Sequence, residues 1–346
     1  MRARVALAAS LILVLVGATV LLVLHTRLQP VDAAGDPGLL VPFTVERGSG
    51  LAPVAYRLEK AGLVRDWRAF ALLARWRDQA TRLRAGEYEL SPAWPAERVL
   101  EQLTVGRARS YPVVIPEGLR AVEIARRLAD AGLTDADAFL ATIHDPDFVR
   151  ELGIDADDLE GYLYPETYRM PRGLPARDIA RVMVAQFERI WREEIEPLRA
   201  AHAVREPDAP VLDRHQLVTL ASIVEKETGA AAERPLIASV FWNRLRRGMR
   251  LETDPTVIYG IPDFDGNLTR KHLLDASNRY NTYKIPGLPP GPIANPGVAA
   301  LRAVADPPDS DYLYFVARGD GTHVFSRSYA AHERAVDEFQ RRRRRR

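Results

Sequence analysis

Two carboxylates set two positions apart, Glu225 and Glu227, close the stretch Leu220-Ala221-Ser222-Ile223-Val224-Glu225-Lys226-Glu227-Thr228-Gly229. Leu217, Leu220, Ala221 and Val224 recur at helical spacing, which predicts an amphipathic helix with those residues on its apolar face. Glu225 and Glu227 fall on opposite flanks of that stripe, while Lys226 points away from it. Thr228-Gly229 then supplies a stop signal. A carboxylate at the rim of a buried helix face loses solvent, so its pKa rises, which suits a general acid. A solvated helix end would leave both as ordinary surface charges, and spacing alone does not choose between the two glutamates.

Other residues could serve such an acid. Asn243 falls on the apolar stripe of a following helix that starts near Pro235, so its amide must be hydrogen-bonded internally or by a ligand. Thr253-Asp254-Pro255-Thr256, Tyr280-Asn281-Thr282-Tyr283 and Gly287 to Ile293 form a loop-rich region dense in proline and glycine, as a preorganised site requires. Tyr162, Tyr164 and Tyr168, interleaved with Glu160 and Glu166, either line a sugar-stacking groove or pack into a core. His323 and His332 lack metal-ligand spacing and read as structural. No metal constellation or phosphate loop is visible, so no cofactor is expected. The arginines from Arg244 to Arg250 lack interleaved aromatics and suit a helix C-terminus better than a nucleic-acid patch.

These residues need a frame. The chain has 346 residues, 47% hydrophobic, with a formal charge of +2 and no cysteine, which allows substantial cores and excludes disulfides and thiol chemistry. Val5 to Leu24 is a run of apolar and small residues preceded by Arg2 and Arg4. Its length predicts a signal-anchor transmembrane helix over residues 1–24, with a cleaved signal peptide as the alternative. Residues 25–40 read as a tether. A small α+β module over 41–108 follows: strands at Val41–Val45 and Ala85–Leu90, and helices around Val54–Ala61, Trp67–Trp76 and Ala96–Leu103. Arg57 to Leu63 resembles Arg127 to Leu133, and Gly48 corresponds to Gly118, which suggests two copies of a strand–helix–helix unit. A larger α+β domain spans 109–340, with a buried strand at Tyr312–Val316, its hairpin partner at Gly321–Ser326, and a cationic tail over 341–346.

From about residue 110 onward the motifs together resemble the endolytic murein transglycosylases, the YceG-like or MltG-type family. They are Glu160 to Tyr168, Ala221 to Thr228, Asn243-Arg244-Leu245, Thr253 to Gly260, Tyr280 to Tyr283, Gly287 to Ile293 and Tyr312 to Val316. The resemblance implies an anchored bacterial enzyme, a LysM-like first module and a catalytic second domain on the outer side of the cytoplasmic membrane. Its substrate would be peptidoglycan glycan strands, cut internally between N-acetylmuramic acid and N-acetylglucosamine to leave 1,6-anhydro ends, with cell-wall synthesis proteins as partners. By family position the catalytic residue is Glu227. Tyr280, Asn281, Tyr283 and Asn243 are candidates for binding the sugar, and Asp254 for substrate contact or loop bracing. Glu252 stands where family members often carry glutamine. A hydrolytic muramidase using Glu160, Glu166 or Glu225 as a second carboxylate is one alternative, and a noncatalytic glycan-binding scaffold is another.

Overall fold

The computed structural model describes residues 2–106, 109–207 and 209–341, without the side chains of residues 2–10, 13 and 341. The chain is mixed α+β and divides into two compact units, Met1–Pro112 with Arg169–Leu174, and Val113–Tyr168 with Pro175–Arg346.

The first unit runs α1 (Arg2–Leu28), β1 (Val41–Val45), α2 (Leu51–Lys60), α3 (Trp67–Trp76), β2 (Gly86–Leu90) and α4 (Ala96–Thr104). β1 and β2 pair antiparallel, with Val41 opposite Leu90 and Val45 opposite Gly86. Alternation along β1 turns Phe43 and Val45 inward, where they meet Val54, Leu58, Phe70, Leu73, Tyr88 and Leu100 in one core. Asp66 starts α3 by accepting the N–H groups of Arg68 and Ala69. Among the described residues no helix is long and apolar enough to cross a membrane. Part of the Val5–Leu24 run lies outside that description, because its side chains at residues 5–10 and 13 are among those left out.

Next come β3 (Ser110–Val114), α5 (Ala121–Asp130), α6 (Ala136–Ile143), α7 (Pro146–Glu151) and β4 (Thr167–Pro171), and β3 pairs with β4. The repeat seen in sequence has a structural counterpart. α2 and α5 are each 10 residues long. Each is followed by a left-handed glycine, Gly62 at φ 68° and Gly132 at φ 67°, and then by a helix capped by an aspartate, Asp66 or Asp135.

The remainder of the second unit is α-rich: α8 (Ala176–Ile190), a π-helical turn at Trp191–Ile195, α9 (Glu196–Arg205), α10 (Arg214–Glu227), α11 (Arg234–Arg246), α12 (Asp254–Tyr259), α13 (Arg270–Leu274) and α14 (Val298–Ala305). The antiparallel hairpin β5 (Tyr314–Ala317) and β6 (His323–Ser326) and the helix α15 (Tyr329–Val336) complete it. Two expectations change here. α10 is not amphipathic: every residue from Leu217 to Glu225 is buried, because α11, α12 and α14 all pack against it. Thr253 to Gly260 is not a plain loop either, since α12 forms there with Pro255 in its first turn. The basic tail from residue 342 on lies outside the described residues.

The tyrosines at 162, 164 and 168 are core residues, 1%, 6% and 6% exposed, and line no groove. Tyr162 meets Phe187 edge-on at 5.1 Å, and the Tyr168 hydroxyl donates to the Tyr164 carbonyl at 2.6 Å. Gly161, just before Tyr162, is required by space and backbone alike. Its φ is +87°, and a Cβ there would lie 2.6 Å from Pro292 Cγ and 2.8 Å from Val218 Cγ1. That close approach seats the 287–295 loop against α10.

Candidate active site

Both ends of α10 are set by local chemistry. Asp213 and Gln216 form a reciprocal capping box, each side chain accepting the other's backbone N–H. At the far end Thr228 adopts an extended backbone, φ −143° and ψ 137°, and the helix stops at Glu227. Two residues of helix turn the two carboxylates about 200° apart. Glu225 points inward, its Oε1 accepting from Arg234 at 2.6 Å and its Oε2 from the Gly297 N–H at 3.0 Å. Burial raises its pKa and these two donors oppose the rise. With its side chain only 4% exposed and both oxygens engaged, Glu225 has nothing left to offer a substrate.

Glu227 is half-buried and opens onto a cavity of about 470 Å³. α11 contributes Arg244, the segment before and at the start of α12 contributes Glu252, Thr253 and Asp254, and Tyr283 adds a further wall. β5, His323 of β6, and Tyr329 and His332 of α15 close the remaining sides. The Thr253 hydroxyl donates to Glu227 Oε1. Burial pushes the Glu227 pKa up to about 7; the Thr253 hydrogen bond opposes this, Asp254 adds to it, and His323 and Arg244 oppose it. A carboxylate at a helix C-terminus also faces the negative end of the macrodipole, which favours its protonated form. The geometry therefore provides a carboxylic acid that keeps its proton near neutral pH and faces open space.

Its surroundings are tightly held. Thr282 accepts the Thr253 N–H at 3.0 Å and bonds the Thr256 hydroxyl at 2.8 Å, and the Tyr283 hydroxyl donates to Asp254 at 2.8 Å. Burial, and then that bond, raise the Tyr283 pKa. Arg244 donates to the carbonyls of Leu313 at 2.7 Å and Leu251 at 2.9 Å, and to Glu252 at 3.2 Å. Glu252 itself sits at φ 52°, a left-handed conformation uncommon for a non-glycine residue. Among the described residues no cluster of histidine and carboxylate side chains could hold a metal ion.

Comparison with known proteins bears on most of the chain. A family model described as the YceG-like family matches residues 43–338. The chain belongs to the YceG-like family. It is similar to a protein of Bacillus subtilis named endolytic murein transglycosylase, 30% identical over 90% of this chain and 88% of that one. A Streptococcus pneumoniae protein of the same name is 29% identical, and the match spans 90% of this chain but 60% of that longer protein. A crystal structure of a yceG-like protein from Listeria monocytogenes aligns with TM-score 0.57 and 32% identity over 86% of this chain and 99% of that one.

In this YceG-like chain the residues singled out from sequence fall into two groups. Glu227, Asp254 and Tyr283 share the cavity. Asn281 and Asn243 lie outside its lining and serve the backbone. The Asn281 amide donates to the carbonyls of His272, Leu273 and Asp275, and Asn243 donates to Ser310 at 2.6 Å and Tyr312 at 3.0 Å. Tyr280 packs on Tyr259 at 4.7 Å between ring centroids. The carboxylates considered as a second catalytic group are not in the cavity. Glu160 is buried against the Ala121 N–H, Asn295 and Tyr259, its pKa pushed up to about 8 by burial, and Glu166 lies on the surface. The sequence assigns no site role to Thr253, Arg244 or His323. Thr253 and Arg244 stand within recognised motifs, whereas His323 reads as a lone histidine and has a partner, Glu233, that only the fold reveals.

Proposed function

We propose that this chain is a lytic transglycosylase that cuts peptidoglycan glycan strands internally, with Glu227 as its acid. The observation that carries the assignment is the contrast between the two glutamates of α10. Glu225 is sealed by Arg234 and Gly297, whereas Glu227 keeps a proton at the wall of a cavity. The relatives' name supplies the reaction class. Glu227 protonates the glycosidic oxygen between N-acetylmuramic acid and N-acetylglucosamine. The C6 hydroxyl of the muramic residue attacks C1 and leaves a 1,6-anhydro end, and its proton is returned to Glu227, which resets the acid. Because the nucleophile is already attached to the reacting sugar, proximity replaces the activation of a water. Tyr283 and Asp254 hold the cavity wall, while Asn243, Asn281 and Tyr280 brace the segments that carry it. Neither Glu160, Glu166 nor Glu225 is available as the partner carboxylate that a muramidase would use.

We further propose that the apolar run through residue 24 anchors the chain in the cytoplasmic membrane, with the catalytic unit outside and the first unit acting as a LysM-like glycan-binding module. The run's length and composition, and its place within the continuous helix α1, support this reading. Cell-wall synthesis proteins are the expected partners. The test of the catalytic assignment is Glu227→Gln in the full chain, which is expected to lower cleavage of purified glycan strands at least about 100-fold. Cleavage at the wild-type rate would overturn it.

A further inference from the structure

His323 extends from β6 with its side chain only 11% exposed, and Glu233, 16% exposed, grips it at two points. The His323 backbone N–H donates to Glu233 Oε1 at 2.9 Å, and its ring Nδ1 lies 2.7 Å from Oε2. A carboxylate only accepts, so Nδ1 carries the hydrogen, and in the neutral ring Nε2 is the acceptor nitrogen. The edge-on contact with Phe315, 5.4 Å between centroids at 87°, fixes the plane of the imidazole. This ring lines the same cavity as Glu227.

Three other polar groups on the walls are committed. The Thr253 hydroxyl donates to Glu227, the Tyr283 hydroxyl to Asp254, and Arg244 to backbone carbonyls and Glu252. A reaction in which a sugar hydroxyl becomes a nucleophile needs an acceptor for that hydroxyl's proton, and an oriented imidazole nitrogen with its Nδ1–H held by a carboxylate is such an acceptor. We propose that His323, oriented by Glu233, takes the proton of the attacking C6 hydroxyl and relays it to Glu227.

This deepens the transglycosylase reading above and rests on it. The bookkeeping closes without water, metal or redox partner. The Glu227 proton passes to the glycosidic oxygen as the C1–O bond breaks. The C6 oxygen then bonds to C1 as its own O–H bond breaks, and that proton moves to Nε2 of His323. The imidazolium gives it to the Glu227 carboxylate, and both side chains return to their starting states.

The experiment measures kcat and KM on purified glycan strands for the full chain and for His323→Gln, Glu233→Gln and His323→Gly, the last with and without added imidazole. His323→Gln should lower kcat about 100-fold or more while KM changes only a few-fold. Glu233→Gln should lower kcat by about 10-fold, since it frees the tautomer without removing the ring. Imidazole should restore part of the His323→Gly rate, which a merely structural histidine would not allow. A folded His323→Gln chain with kcat within about threefold of wild type would overturn the relay. If that variant does not fold, the imidazole result decides: rescue supports the relay and its absence overturns it. An inactive Glu227→Gln beside a fully active His323→Gln removes the relay alone, whereas an active Glu227→Gln removes the reading beneath it.

Discussion

Glu227 holds its proton because the fold takes water away from it, and that has a cost in stability. Its folded pKa is about 7 against an ordinary 4.5, so the folded state binds the proton more tightly than the unfolded state does. The favourable contribution is fully present below about pH 4.5 and is lost as pH rises to about 7. Above that range an ionised, poorly solvated carboxylate remains, a liability on the order of 1–3 kcal/mol. Glu227→Gln replaces it with a neutral group of the same shape. The variant should therefore melt higher than wild type at pH 8, and the difference should shrink toward pH 4; an equal difference at both would contradict the account. Thr253 acts in the opposite sense, since its hydroxyl stabilises the ionised form of Glu227. Thr253→Val should raise the Glu227 pKa and shift the alkaline limb of the pH–activity profile upward, a shift that rate measurements across pH would reveal. An unmoved limb would mean that the hydrogen bond does not tune the acid.

At the scale of elements, α10 is a fixed axle rather than a surface helix, and Glu225 is part of what fixes it. Glu225→Ala leaves the Arg234 guanidinium, 11% exposed, with the longer contact to Glu117 at 3.6 Å. Truncating one member of a buried pair costs up to about 3–5 kcal/mol, and Glu117 offsets part of that, so denaturant titration should find this variant destabilised. The helices and strands between Val41 and Thr104 are legible in sequence to within about three residues, because their periodicity, caps and glycine stops are local signals. The all-round burial of α10 was not legible: a stripe of Leu217, Leu220, Ala221 and Val224 fits an amphipathic helix equally well, and α11, α12 and α14 supply the difference. Tyrosine rings suit a glycan groove and a core alike, so Tyr162, Tyr164 and Tyr168 could not be placed before their neighbours were known. Telling Glu225 from Glu227 is of the same kind: a bond that occupies Glu225 comes from Gly297, 72 residues onward, and the carboxylate that holds His323 is Glu233, 90 residues before it.

At the scale of the whole molecule, in the proposed reading, the first unit binds glycan and the second cuts it, with α1 holding both beside the membrane. If α1 anchors the chain, the full-length protein should stay with the membrane fraction through alkaline extraction, and two aspartates placed within Val5–Leu24 should release it. Retention despite those charges would point to some other attachment. The central claim is that the products carry anhydro ends and that Glu227 makes them. The most direct measurement is mass spectrometry of peptidoglycan glycan strands digested by the full-length chain beside its Glu227→Gln variant. The account predicts new 1,6-anhydromuramic ends with the wild type and none with the variant. New reducing ends in place of anhydro ends, or anhydro ends that persist in the variant, would contradict it.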